Sequence, residues 1–256
     1  MKYKAIMLDV DGTLIPYDYN ALPSPAVVNA VKKASEKVTV CLVTGREYGF
    51  IKHILDIFGL KKGFAAVNNG ANVVDIATEN LLYDQPIVQE EAKIIMKILN
   101  EEKMPFYLKQ HFLDRTFLDG FFQDDKKFEK AYMFFVPEEF SEEKIDTVFK
   151  KFSSLSHVTF FKSNHSDPNK FGLNITHLAA TKLHGVETIM KHLDVKREEI
   201  IGVGDSYNDF PLLMAAGFKV AMGNAIPELK EVADYVAPSV TDDGVADVIN
   251  KFILNK

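Results

Sequence analysis

A short apolar run that ends in two carboxylates constrains this chain more than any other feature. Lys4-Ala5-Ile6-Met7-Leu8 leads directly into Asp9-Val10-Asp11-Gly12-Thr13-Leu14. A continuous apolar run closed by turn residues is the pattern of a strand buried on both faces, as in a parallel sheet. In open α/β sheets, ligands bind at the carboxyl ends of such strands. Asp9 and Asp11 are two apart, so on an extended chain their side chains leave on the same side. Two like charges that close need a cation between them, or one must hold a proton. Asp-Gly is also common in plain surface turns. An EF-hand loop fits poorly, because its glycine stands sixth whereas Gly12 comes earlier and follows a strand.

Two further apolar runs end in the same way. Val38-Thr39-Val40-Cys41-Leu42-Val43 closes in Thr44-Gly45-Arg46, and Glu199-Ile200-Ile201-Gly202-Val203 closes in Gly204-Asp205-Ser206-Tyr207-Asn208-Asp209. Apolar stripes at helical spacing predict helices from Pro25 to Lys37 behind Ser24 as cap, from Glu47 to Phe58 and from Thr181 to Leu193. Phe64-Ala65-Ala66-Val67 and Val73-Val74 flank Asn68-Asn69-Gly70-Ala71-Asn72, the pattern of a tight hairpin. From about Leu82 the rhythm changes to helix, strand, strand, helix, strand, strand. Helices are expected from Glu90 to Glu102 and from Ser141 to Lys151. Strands are expected from Pro105 to Lys109, Ala131 to Val136, His157 to Lys162 and Phe171 to Thr176, with His111 to Lys127 an irregular connection. After Thr176 the strand–helix alternation returns, ending in a helix from Asp243 to Leu254. The expected fold is α/β: a doubly wound, mostly parallel Rossmann-like sheet in residues 1–81 and 180–256, interrupted by an α+β domain in residues 82–179.

With 47% hydrophobic residues, the chain has ample material for a core. Its net charge is -6 and no block of Lys and Arg stands out, which argues against a nucleic-acid groove or an anionic membrane surface. No apolar stretch is long enough to span a bilayer. The lone cysteine, Cys41, cannot form an intrachain disulfide or a thiolate cluster, and is expected as a small buried hydrophobe. No signal-peptide pattern opens the sequence. The expectation is a cytoplasmic monomer or small homo-oligomer.

In a doubly wound sheet the carboxyl ends of all parallel strands lie along one edge. Asp9/Asp11, Thr44-Gly45-Arg46 and Asp205/Asn208/Asp209 can therefore meet, together with Lys182, which opens the helix after the insert. Taken singly, each has a plain explanation as a turn or a solvated lysine. Jointly they do not, because no structural need puts polar ends on three separate strands. The set suits phosphoryl transfer. Asp9 and Asp205 can supply hard oxygen ligands to Mg²⁺. Asp9 can attack phosphorus and form an aspartyl-phosphate. Asp11 can protonate the leaving oxygen and then deprotonate the attacking water. The Thr44 hydroxyl, the backbone N–H groups about Gly45, and Lys182 can hold phosphoryl oxygens as charge spreads over them.

These stretches resemble the motifs of haloacid dehalogenase-like (HAD) phosphatases: Asp9-Val10-Asp11-Gly12-Thr13-Leu14 the first, Thr44-Gly45-Arg46 the second, Lys182 the third, and Gly204-Asp205-Ser206-Tyr207-Asn208-Asp209 the fourth. Asn69-Gly70-Ala71, Ala215-Ala216-Gly217, Met222-Gly223-Asn224-Ala225 and Asp243-Gly244-Val245-Ala246 look like the Cof-type branch, subfamily IIB, and the insert has the position of that branch's C2B cap. The resemblance implies a phosphatase of small phosphorylated metabolites, sugar phosphates above all. It makes Asp9 the nucleophile and Asp11 the general acid/base. Mg²⁺ is then held by the Asp9 side chain, the Asp11 backbone carbonyl and Asp205, with Asp209 just behind them. Thr44, Lys182 and Asn208 match phosphate-contacting positions, and Arg46 matches a position that serves the phosphate or a helix-start salt bridge. Two departures stand out: Leu183 replaces the glycine usual after the Lys, with Gly185 later, and Tyr207 is bulkier than usual. Substrate selection is expected from the insert's irregular stretches, at His111, Asp114, Arg115, His165, Asp167 and Asn169. The alternatives are a phosphomannomutase-like phosphosugar mutase, which shares core and cap, and a catalytically silent binding or regulatory protein. A dehalogenase fits less well, since that chemistry needs no proton donor like Asp11.

Overall fold

In the computed structural model, residues 2–18, 20–110, 117–119, 130–163 and 169–254 are described. The first half of the chain forms β1 (Ala5–Leu8), α1 (Pro25–Ser35), β2 (Thr39–Val43), α2 (Tyr48–Phe58), β3 (Phe64–Val67), β4 (Asn72–Asp75), β5 (Leu81–Asp84), α3 (Gln89–Glu101), β6 (Tyr107–Lys109) and β7 (Phe117–Asp119). The second half forms β8 (Met133–Ser141), α4 (Glu142–Lys151), β9 (Val158–Ser163), β10 (Lys170–His177), α5 (Lys182–Leu193), β11 (Ile200–Gly204), α6 (Phe210–Ala215), β12 (Phe218–Ala221), α7 (Pro227–Glu231), β13 (Tyr235–Val236) and α8 (Gly244–Ile249).

Eight strands make the larger sheet in the order β13-β12-β11-β1-β2-β3-β4-β5. Pairing is parallel from β13 through β3, and β4 and β5 add an antiparallel edge. β1 sits centrally, every residue of it fully buried, with α1 packed against α8 and α5 against α6 and β3. Strand order reverses between β1 and β11, which makes the crevice above their carboxyl ends the topological switch point. Leu8 pairs with both Val203 and Leu42, so Asp9, Gly204 and Val43 follow at one level. Cys41 lies within this core, where burial pushes its thiol up to about 12 and leaves it inert.

The smaller sheet is antiparallel, in the order β7-β6-β8-β10-β9. One of its faces buries Phe106, Leu108, Phe134, Val136, Leu173 and Ile175 in a second apolar cluster with α3 and α4. By the two-residue alternation of strands, Lys109, Met133, Phe135, Asn174 and Ser163 stand on the other face.

Several boundaries differ from expectation for physical reasons. β8 runs on past Pro137 to Ser141, because the register against β10 shifts there between Phe171 and Leu173, and a bulge tolerates a residue with no N–H. β7 lies inside the stretch expected to be irregular. β5 pairs with β4, so the larger sheet continues to Asp84. The last helix is α-helical only to Ile249 and finishes as a π-helical turn, Asn250–Leu254.

Candidate active site

At the floor of the crevice, Lys182 is held between two carboxylates. Its Nζ donates to Asp9 Oδ1 at 2.6 Å and to Asp209 Oδ1 at 2.5 Å, and its side chain is fully buried. The hairpin turn between β3 and β4 puts it there. Gly70 has φ +95°, and a Cβ on it would lie 2.1 Å from the Thr181 carbonyl oxygen. Gly185 rests on Ala66, where a Cβ would meet the Ala66 methyl at 2.7 Å. In place of the glycine expected directly after Lys182, Leu183 packs partly buried on the core.

Asp209 is fully engaged. Its Oδ2 accepts the backbone N–H groups of Asp205 at 2.9 Å and Ser206 at 3.0 Å, while Oδ1 takes the ammonium. Asp205 accepts from the Thr13 hydroxyl at 3.1 Å and from the Tyr17 hydroxyl at 2.5 Å. Gly12, at φ +76°, is required at that crossing: a Cβ there would lie 2.3 Å from Asp205 Oδ2.

Asp11 is met by Arg46, whose Nε donates at 2.7 Å to one carboxylate oxygen while a second guanidinium nitrogen reaches the other. The guanidinium also stacks over Phe50, 3.6 Å from the ring centroid. The Thr44 hydroxyl accepts the Arg46 N–H at 3.1 Å and is wholly buried. Asn208 donates to Asn69 Oδ1 at 3.1 Å. Asp9, Asp11, Gly45, Arg46 and Asn208 line the open cleft, with Thr44, Lys182, Asp205 and Asp209 in the layer beneath.

The buried charges do not balance. Asp9, Asp205 and Asp209 bring one carboxylate oxygen each within 4.8 Å of one another, against the single Lys182 ammonium among the described residues. Burial and the Asp209 charge push Asp9 well above the usual carboxylate range, and Lys182 only partly opposes them. Burial and Asp209 likewise raise Asp205 to about 7, against the Tyr17 hydrogen bond. Burial alone would lower Lys182, but the Asp209 and Asp9 carboxylates overturn this and hold the ammonium charged. Buried negative charge of this kind, on hard oxygen donors, fits a divalent cation. Asp9, Asp205 and Asp209 are the carboxylates that could hold it. The Asp11 side chain lies outside this cluster and against Arg46.

The cleft has a volume of about 410 Å³. Its far wall is the smaller sheet, through Lys109, Met133, Phe135, Ser163 and Asn174. Lys109 Nζ donates to the Gly45 carbonyl at 2.7 Å and lies 3.3 Å from Glu47, a buried pair joining that sheet to the motif after β2. The bulky Tyr207 packs partly buried against the second cluster, its ring 6.5 Å from that of Phe171. Of the selectors expected from sequence, Asn169 is exposed and does not line the cleft, while His111, Asp114, Arg115, His165 and Asp167 lie outside the described residues. Lys109, Ser163 and Asn174 were not singled out from sequence. Their one signal is strand alternation, which puts polar side chains on the face opposite Leu108 and Leu173.

The chain has known relatives in sequence and in fold. A profile described as haloacid dehalogenase-like hydrolase matches residues 6–118 and 109–249. The chain belongs to that family of hydrolases. It is 28% identical over 251 residues to a phosphoglycolate phosphatase of Methanothermobacter thermautotrophicus, covering 98% of this chain and 99% of the relative. Its fold matches a phosphatase of the haloalkanoate (HAD) superfamily from Bacteroides thetaiotaomicron at a TM-score of 0.83, with 22% identity over 98% and 95% of the two chains. It also matches a HAD subclass IIB sugar phosphatase at a TM-score of 0.77, with 21% identity over 97% and 98%. Among the described residues, no helix is long and apolar enough to cross a membrane.

Proposed function

We propose that the protein is a Mg²⁺-dependent phosphatase that hydrolyses phosphate monoesters of small metabolites through an aspartyl-phosphate on Asp9. The observation that carries this reading is the state of Asp9. It is nearly buried at the cleft floor, with Oδ1 held by Lys182, so the other oxygen is the one left for attack. That oxygen attacks phosphorus as the bond to the leaving oxygen breaks, and Asp11 supplies the leaving oxygen's proton. Water then attacks the aspartyl-phosphate, Asp11 takes its proton, and Asp9 is regenerated. An entering phosphate competes with Asp11 for Arg46, so the guanidinium can pass to the phosphoryl oxygens and release Asp11 for proton transfer. Asn208 and the Gly45 N–H hold the same oxygens from the other side. Asp9, Asp205 and the Asp11 backbone carbonyl would hold Mg²⁺, which when bound neutralises phosphate charge so that a carboxylate can approach.

The smaller sheet with α3 and α4 serves as a cap, between Asp84 and Ala180, that closes over the ester and excludes water. The cleft volume falls in the range of small-molecule sites. The sugar phosphatase among the structural relatives and the phosphoglycolate phosphatase among the sequence relatives both support a small phosphorylated substrate. The test is phosphate release from a panel of phosphorylated metabolites, with Mg²⁺ and with chelator. Release is expected only with metal and to fall at least about 10³-fold in Asp9→Asn, in line with loss of a nucleophile. Phosphoryl return to the sugar rather than to water would mark a mutase instead. Unchanged ligand binding with no turnover in either protein would mark a silent binder.

A further inference from the structure

The cap wall carries a pattern of committed charges and uncommitted neutral groups. Among the described residues, three cations line the cleft, and each already has an oxygen partner. Arg46 is on Asp11, Lys109 is on Glu47 and the Gly45 carbonyl, and Lys162 is 2.6 Å from Glu142. Ser163 differs from them. It is 9% exposed, and its hydroxyl is buried with no hydrogen-bond partner among the described residues. Buried hydroxyls are normally paired, so one left open in a cleft wall points to a partner that arrives with the ligand. Gly172 stands opposite Ser163 in register, and a Cβ there would come within 2.8 Å of the hydroxyl oxygen. The glycine thus leaves the hydroxyl its space. On the same strand as Gly172 and the same face, Asn174 lines the cleft half-buried, with no side-chain hydrogen bond among the described residues. Met133 and Phe135 lie beside it and give an apolar surface for C–H groups.

We propose that Ser163 and Asn174 are specificity-determining residues that hydrogen-bond a hydroxyl of the leaving group, so that the site takes esters of neutral, hydroxylated carbon skeletons ahead of carboxylated ones. This rests on the phosphatase reading above. A hydroxyl both donates and accepts, and so do a serine and a carboxamide. A carboxylate only accepts, and it is recognised most strongly by a cation. Among the described residues, the cations of this wall, Lys109 and Lys162, are paired with Glu47 and Glu142, and Arg46 across the cleft serves Asp11 and the phosphate. A polyol or short sugar phosphate therefore matches what is open here, whereas phosphoglycolate has to compete for a lysine already paired.

The experiment compares kcat/KM for glycerol 3-phosphate, propyl phosphate, phosphoglycolate and p-nitrophenyl phosphate in the wild type, Ser163→Ala and Asn174→Ala, with Mg²⁺ present. The wild type is expected to favour glycerol 3-phosphate over propyl phosphate and phosphoglycolate by at least about tenfold, since a site built to bind a hydroxyl rejects analogues without one. Each variant should lower the glycerol 3-phosphate value by about ten- to a hundredfold and leave p-nitrophenyl phosphate within about twofold. Ser163→Ala should keep or raise the thermal midpoint, because it removes an unpartnered buried hydroxyl. A wild-type preference for phosphoglycolate, an equal loss on all four esters, or a lowered midpoint in Ser163→Ala overturns the proposal. Turnover of p-nitrophenyl phosphate without hydroxyl preference overturns the specificity alone. No turnover of any ester by folded wild type overturns the phosphatase reading and this inference with it.

Discussion

At the scale of single residues, the site is governed by one lysine among carboxylates. Lys182 is the sole ammonium among the described residues that touches Asp9 and Asp209, and its side chain is out of solvent. Removing one member of a buried ion pair leaves the others uncompensated, at about 3–5 kcal/mol. Lys182→Met is therefore expected to lose about that much stability at pH 8 and most of its activity. The deficit should shrink at pH 5, because Asp9 and Asp205 are already displaced toward protonation by burial and by Asp209, and losing the ammonium moves them further. Urea unfolding at both pH values reads this directly. Equal losses at pH 5 and pH 8 would show that the ammonium is not what balances those carboxylates. The lysine itself was visible in the sequence as the residue opening a helix. Its two-carboxylate grip was not, since Asp9 lies 173 positions away and Asp209 27.

At the scale of elements, the close approach of the β3–β4 turn to the start of α5 fixes where that lysine points. Gly70→Ala forces a Cβ toward the Thr181 carbonyl, 2.1 Å away, and puts an L side chain at φ +95°. The start of α5 must shift, and Lys182 with it. A strained backbone position costs about 1–3 kcal/mol, but a displacement of the lysine should lower kcat by at least about tenfold. Gly59→Ala is the control. It also has positive φ, at +64°, but its nearest outside atom is the Lys32 side chain at 3.8 Å, so stability alone should fall. Steady-state kinetics and thermal unfolding on the two variants separate the effects, and equal kcat losses would sink the idea. The hairpin and the flanking strands were legible because apolar runs and Asn-Gly turns are local signals. The Gly70–Thr181 contact was not, because a turn's packing partner is set by topology. The same holds for the cap. Its helices showed their periodicity, but β8 looked finished at Pro137 until the bulge opposite Gly172 was placed. Ser163 and Asn174 carried no motif, and only the pairing of β9 with β10 put both on the cleft.

At the scale of the whole molecule, two sheets with separate cores meet over an excess of buried negative charge. Lys109 reaches from the cap to Gly45 and Glu47, and burial lowers its pKa while Glu47 opposes the change. Asp9 and Asp205 are nearly out of solvent at the cleft floor, and this makes the stability of the metal-free protein depend on pH. Asp205 titrates near 4 when unfolded and at about 7 when folded. Between these values the native state binds more protons than the unfolded state, so stability falls as pH rises and levels off above about 7. Asp9 is shifted in the same direction by the same burial. A divalent cation binds the deprotonated carboxylates, so its stabilisation must run the opposite way, small near pH 5 and growing through pH 7. In chelator, the melting temperature is therefore expected to decline from pH 5 to pH 8, while in millimolar Mg²⁺ the decline should be largely abolished. Asp205→Asn removes one shifted carboxylate and one ligand together, so it should flatten the chelator curve and erase most of the Mg²⁺ response. A melting temperature that rises with pH in chelator, or an equal Mg²⁺ shift at pH 5 and pH 8, would mean that these carboxylates are balanced by something other than a metal ion.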